Sequence, residues 1–365
     1  MPVYVCSESA LQHYRVALYP AGKDSSVRVG SLKGAVSLRK DVDLLSLAGL
    51  GLSSPSAEEP LHVLVPPSSA RGRSKGIVSA VWGDVLPREA FRKVNSDAYV
   101  SSPEFVFLQM ARKLELIPLI ELGMELCGTY RRNAEGGLTT YDQPTLTTPR
   151  RIEQFLDAVG SAYGVSRARN ALKYVAANSA SPLETIVYLL LCLPRRLGGY
   201  AFPQPELNAA IKLSKRGRQH TLRRSSVPDL YWRVAKIDLE CHGKMHELKE
   251  RRAEDSMRRK ALERMEVEVV ELTYEEVRNQ KLFKATVRRL AKKLGVRLRA
   301  QSENGFAEHE KALRSYLFPE HVQLGQLWDE EGFESEESIS WEREELPSEF
   351  DSWEVYMGDG DVPEL

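Results

Sequence analysis

The sequence predicts a mixed α/β protein. Its C-terminal half should form an αβββαβ core, preceded by a mixed α+β region and followed by an acidic, largely disordered tail. Three observations lead there. From Ser181 to Leu294 the apolar residues recur at helical spacing, then at a period of two over three short runs, then in the order helix, strand, helix. The composition, 42% apolar and 28% charged over 365 residues, is that of a globular chain long enough for about two domains. Charge is segregated along the chain. The 51 basic and 51 acidic residues cancel overall, but Asp329–Leu365 holds 15 acidic residues and only Arg343 as a base, which leaves 50 basic against 36 acidic residues before it.

Taken in order, SESALQHYRVAL predicts a short helix with Ser7 or Ser9 as its cap. Short β-rich runs follow (SSVRVGSLKGAVSL, LHVLVP, GIVSAVW), punctuated by Gly, Ser and Pro. SSPEFVFLQMARKL, 101–114, has a Ser cap, Pro in the first turn and Glu just inside, with Phe105, Leu108, Met110, Ala111 and Leu114 on its core face. A polar loop is expected over 132–150 and helices over 149–160 and 165–177. SPLETIVYLLLCL starts the core as a mostly buried helix. A strand with an edge proline follows within 200–213, then strands PDLYWRV (228–234) and KIDLECHG. Helix 254–265, strand 267–273 and helix 274–294 complete it. The expected divisions are an accessory region (1–145), a helical connector (146–180), the core (181–300) and the tail (301–365).

No run of about 18 apolar residues predicts a membrane helix. The N-terminus lacks the basic and apolar segments of a signal peptide. Cys6, Cys127, Cys192 and Cys241 have no C-x-x-C spacing, which fits reduced thiols. The expectation is therefore a cytoplasmic chain. A basic body with an acidic tail points to a nucleic-acid partner and a tail that competes with it, or to a tail that only solubilises or engages another protein.

The chemistry concentrates in strand 236–243. Alternation puts Ile237, Leu239 and Cys241 on one face, and Lys236, Asp238, Glu240 and His242 on the other, with Glu240 and His242 about 7 Å apart. Asp229 follows Pro228 at the start of the preceding strand. If the two strands form a hairpin, Asp229 lies near Glu240 or His242. Converging carboxylates make a hard oxygen site suited to Mg²⁺ or Mn²⁺, and an adjacent imidazole can act as a general base. Just before this hairpin, Lys212, Lys215, Arg216, Arg218, Arg223 and Arg224 form a basic loop suited to phosphate contacts.

This order and these residues resemble the PD-(D/E)XK nuclease superfamily, with Pro228-Asp229 as the PD and Glu240-Cys241-His242 as the (D/E)XK. More closely they resemble the branch similar to the very-short-patch mismatch repair endonuclease. Glu240, His242, Gly243 and His246 match its central pattern, and Asp255, Arg258 and Leu262 its D-x-x-R-x-x-x-L helix. Over about 181–295 the resemblance implies metal-dependent DNA cleavage, with Asp229 and Glu240 as metal ligands and His242 in place of the lysine. It also implies His246 in water activation, oriented by Asp255, and Glu184 as the helix carboxylate of the metal shell. The usual lysine is absent; Lys244 stands two residues later. LHVLVPPSSARGRSKGIVSAVW and VNSDAYVSSPEFVFLQMARKL resemble chains related to abortive-infection antitoxins. A catalytically silent DNA-binding regulator of that kind is the alternative expectation.

Structural roles compete for several of these residues. Ser181-Pro-Leu-Glu184 is also a capping box, Asp255 also a helix cap, and Cys241 a small core residue. Tyr231 and Trp232 are either core residues or wedges for DNA.

Overall fold

The computed structural model describes residues 2–16, 26–32, 34–35, 49–52, 54–67, 76–132, 139–213, 225–243, 257, 259–298 and 305–319. The first sheet comes from the N-terminal third: β1 (Val3–Val5), β2 (Ser26–Val27), β3 (Leu61–Val65), β4 (Ile77–Val81), β5 (Phe91–Lys93) and β6 (Ala98–Ser101), in the order β2-β5-β6-β1-β3-β4. β1 runs parallel to β6 and antiparallel to β3. These strands are almost wholly apolar where buried, as central strands must be. Helix α1 (Ser7–Val16) leaves β1 through Ser7, at φ 49°. Gln109 of helix α2 (Pro103–Met110) accepts from the Ser7 amide and donates to Ser101, which ties helix to sheet. Ser102 caps α2 as its sequence predicts.

Three more helices form the middle of the chain: α3 (Leu116–Leu126), α4 (Pro149–Val159) and α5 (Val165–Leu172). Gly123 lets α3 sit close to its neighbours: a Cβ there would meet Val175 at 2.5 Å and Phe107 at 3.0 Å. Glu125, buried on α3, takes two bonds from Arg15 of α1, at 2.8 and 2.6 Å, and one from the Arg132 amide. Burial alone would raise its carboxyl, but Arg15 and Arg132 outweigh that and hold it below the usual carboxylate range.

Helix α6 (Pro182–Cys192) precedes the second sheet, formed by β7 (Glu206–Leu207), β10 (Leu230–Trp232), β11 (Ile237–His242) and β12 (Glu268–Thr273) in the order β12-β11-β10-β7. β7, β10 and β11 are successively antiparallel, and β12 is parallel to β11. The parallel return requires a crossover, and residues 259–263 within it are helical. A small ladder, β8 (Ile211–Lys212) with β9 (Ser225–Ser226), flanks the sheet. The strand expected somewhere in 200–213 is thus two short pieces. The expected single helix 274–294 is two, Tyr274–Arg278 and Gln280–Leu294. Asn279 ends the first and caps the second by accepting from the Lys281 and Leu282 amides.

Helix Phe306–Leu317 closes the described chain. It approaches the turn at Gly198 (φ 84°) so closely that a Cβ there would lie 2.3 Å from the His309 carbonyl oxygen. Its buried Glu310 accepts from Tyr200 at 2.8 Å, and Tyr316 donates to Glu121 of α3 at 2.6 Å. One apolar cluster runs from Val3 through both sheets to Leu317. Among the described residues no helix is long and apolar enough to cross a membrane.

Candidate functional site: a carboxylate cluster at the edge of the second sheet

β10 and β11 pair as the expected hairpin, with Leu230 opposite Leu239, Tyr231 opposite Asp238 and Trp232 opposite Ile237. One further step in this register sets Asp229 opposite Glu240. Opposite residues of an antiparallel pair share a face, so the two carboxyl-bearing residues stand side by side. The Cys241 amide donates to Asp229 Oδ2 at 2.7 Å, and the Asn208 amide donates to the Asp229 carbonyl at 3.1 Å. Asp229 is thereby fixed where β10 begins and β11 ends.

The polar face of β11 is more enclosed than alternation suggests. Asp238 and Glu240 are both buried. The cover is nonlocal. Tyr231 stands opposite Asp238 and packs with Ile211, Leu213, Ala261, Leu262 and Val267 in a second apolar cluster. Toward the end of the strand this cover gives out: the His242 side chain is 43% exposed and lies 3.9 Å from Glu271. Glu271 stands beside Glu240 on β12 and also meets Arg259. Trp232 belongs to the main core and donates to the Pro203 carbonyl at 2.7 Å. Both aromatics are therefore core residues, and the wedge alternative falls.

Glu184 comes to the same place from α6. Ser181 caps α6, but the reciprocal bond of the expected capping box is displaced by one residue, from the Ser181 amide to the Ala180 amide. The Glu184 amide donates to Ser181 Oγ, and its carboxyl accepts from Ser181 Oγ at 2.9 Å and from the Ala180 amide at 2.8 Å. Asn208 Nδ2 donates to the same carboxyl at 2.6 Å. Burial, and then the charge of Asp229, push the Glu184 carboxyl up to about 8, against these three hydrogen bonds. The cap and the electrostatic link to Asp229 therefore both hold. The Cys241 thiol is raised well above its usual value by burial and then by Asp229, Glu184, Glu240 and Asp238. Four carboxylates thus share the field around one backbone position.

Among the described residues no group of three or more His, Cys, Asp or Glu side chains converges to hold a metal. The donor set still fits a hard cation that keeps several waters and takes one or two carboxylates, as Mg²⁺ does. A cation at Asp229 and Glu240 would offset the Asp229 charge, which adds to burial in raising Glu184. His246 and Asp255 lie outside the described residues, as do Lys215, Arg216, Arg218, Arg223 and Arg224. The β8–β9 ladder brings the two ends of that basic segment together. Asn208, which joins Glu184 to Asp229, was not singled out in the sequence. Its only local signal is a turn-type residue just after Pro205-Glu206-Leu207, and its backbone is left-handed at φ 47°. Comparison with family models, curated proteins and solved structures found no match.

Proposed function

We propose that the chain is a divalent-metal-dependent endonuclease of the PD-(D/E)XK type that hydrolyses DNA phosphodiester bonds. The observation that carries this reading is the juxtaposition of Asp229 and Glu240 across β10 and β11, with Glu184 electrostatically coupled from the helix before the sheet. The succession of helix, three antiparallel strands, helical crossover and parallel strand supports the restriction-endonuclease-like αβββαβ assignment.

In this reading Asp229 and Glu240 hold Mg²⁺ or Mn²⁺, which when bound polarises a phosphoryl oxygen and acidifies water. Glu184 lies behind them and balances charge by keeping or releasing its proton. His242, at the open end of β11, takes the proton of the attacking water, and His246 with Asp255 assists from the following segment. The basic segment with Lys215, Arg216, Arg218, Arg223 and Arg224 contacts phosphates. The test is nicking of supercoiled plasmid with Mg²⁺ or Mn²⁺ by the wild type beside Glu240→Ala. Metal-dependent nicking that vanishes in the variant supports the reading, and equal nicking by both refutes the role of Glu240.

One observation favours a second reading, a nuclease-fold regulator or antitoxin-like protein that binds DNA without cutting it. Both Glu184 oxygens and Asp229 Oδ2 already accept hydrogen bonds from the protein. These carboxylates would then serve to organise the fold. Retardation of DNA by both proteins with no nicking under either metal would select this reading.

A further inference from the structure

We infer that the outer face of helix Gln280–Leu294 is a docking surface for the phosphate backbone of duplex DNA, separate from the carboxylate cluster. The inference rests on the nucleic-acid part of the reading above, not on hydrolysis. From Gln280 to Leu298 the sequence holds seven basic residues (Lys281, Lys284, Arg288, Arg289, Lys292, Lys293 and Arg297) and no acidic one. The structure divides them. Arg289 and Lys293 both pair with Glu268, at 2.9 and 2.5 Å, and Lys284 pairs with Glu310 at 3.5 Å. These contacts and the buried Phe283, Val287 and Leu290 fix the rotation of the helix. Lys281, Arg288 and Lys292 are exposed and have no ion-pair partner among the described residues. With Ala285 between them they follow i, i+4, i+7, i+11, one narrow stripe about 16 Å long.

Helix stability does not account for this stripe. The macrodipole favours Lys292 in the last turn but disfavours Lys281 in the first, where no acidic residue stands. Arg288 and Lys292 are a like-charge i, i+4 pair, which weakens a helix. A face that served only solubility would mix both signs. A straight row of one sign on a firmly seated helix fits a polymer with charges at regular intervals. Its length matches about five base-pair steps of duplex. Thr273 at the end of β12 stands beside His242, and the helix follows within a few residues, so Lys281 is the end of the row nearest the candidate site in the chain.

The test uses the full chain and a fluorescent duplex without divalent metal, with affinity followed from about 50 to 200 mM salt. K281A/R288A/K292A should bind more weakly, and its slope of log affinity on log salt should shrink by about 2.7, the share of three phosphate contacts. Its melting temperature should be no lower than wild type, because these side chains have no ion-pair partner among the described residues and their like charges weaken the helix. R289A/K293A should do the reverse, with a lower melting temperature and a slope change of less than about one contact. An unchanged slope in the triple variant, no binding of duplex by the wild type, or loss of binding to single-stranded RNA or an acidic peptide but not to duplex would each overturn the inference. Wild type that fails to nick plasmid yet shows the slope difference retires hydrolysis and leaves this surface standing; nicking with no slope difference does the opposite.

Discussion

Helices α3 and α6 each bury a glutamate, and the two carboxylates are treated in opposite ways. Glu125 on α3 is locked by Arg15 and Arg132 and held low. Glu184 on α6 is equally buried, but the charge that acts on it is that of another carboxylate, Asp229, which adds to burial, and it is held high. The first arrangement is how a buried charge is made safe in a structural core: a partner of opposite sign with two-point geometry. The second leaves a like-charge conflict in the fold, and such conflicts cluster where a protein handles protons or cations. The N-terminal and middle regions are therefore built to be stable, while the edge of the second sheet is left poised.

The largest expected effect breaks the structural half. Glu125→Ala strands Arg15 in a mostly buried position and should cost about 3–5 kcal/mol, read as a fall in thermal or denaturant stability. Next is the reactive half. Asp229→Asn should lower metal-dependent nicking by roughly 10²–10³-fold, the scale of losing one group that stabilises a transition state, with little loss of stability. If both substitutions cost the same stability and neither affects nicking, the distinction between the two carboxylates fails.

The two glutamates also predict opposite pH responses. The folded-state value of Glu125 lies below its unfolded value, so its contribution is present at neutral pH and lost as pH falls into the acid range. The folded-state value of Glu184 is raised from 4.5 to about 8, so its contribution is complete below about pH 4.5 and lost as pH climbs to about 8. Glu184→Gln keeps a side-chain oxygen able to accept from the Ala180 amide or Ser181 Oγ and should flatten the stability profile between those values, while wild type declines across it. A variant with the same decline as wild type would show that Glu184 is not the group responsible. In the same range Mg²⁺ at about 100 times its dissociation constant should add about 2.7 kcal/mol to the wild type.

The smallest effect concerns the residue that joins the cluster. Asn208→Gly preserves the left-handed backbone but removes the amide that donates to Glu184 and to the Asn178 carbonyl. A loss of about 1 kcal/mol is expected, with the Glu184 profile moved to still higher pH. A larger loss would mean that Asn208 carries the fold rather than tunes the site.

The sequence made local features plain where the signal was local. Alternation located β11 and β12, and the cap-plus-proline signatures located α2 and α6. It was silent where contacts across the fold decide. β1, β5 and β6 are three or four residues long, too short for a period to register. The LIPLIELGMEL stretch carries Pro118 and Gly123 and is apolar nearly all round. Its helical nature rests on burial among α2, α5 and α6, with proline tolerated in the first turn. Helix Phe306–Leu317 sits in a polar stretch, and its anchors, Tyr200, Glu121 and Gly198, are far away in sequence. At the candidate site the hairpin was legible, but alternation left Asp229 beside either Glu240 or His242, and the register that sets it opposite Glu240 came from the structure. The burial of Asp238 and Glu240 was not legible, because Tyr231, opposite Asp238, packs with Ile211, Leu213, Ala261, Leu262 and Val267, which are distant in sequence.

In the proposed reading Asp229 and Glu240 form a divalent-cation site, with Glu184 held protonated behind it by burial and by the charge of Asp229. A Mn²⁺ titration of the metal-free wild type and of Asp229→Asn near pH 8, followed calorimetrically, tests it most directly. Saturable uptake by the wild type that weakens at least about 10-fold in the variant is the expected result. Absent uptake by the wild type, or identical uptake by both proteins, would contradict it.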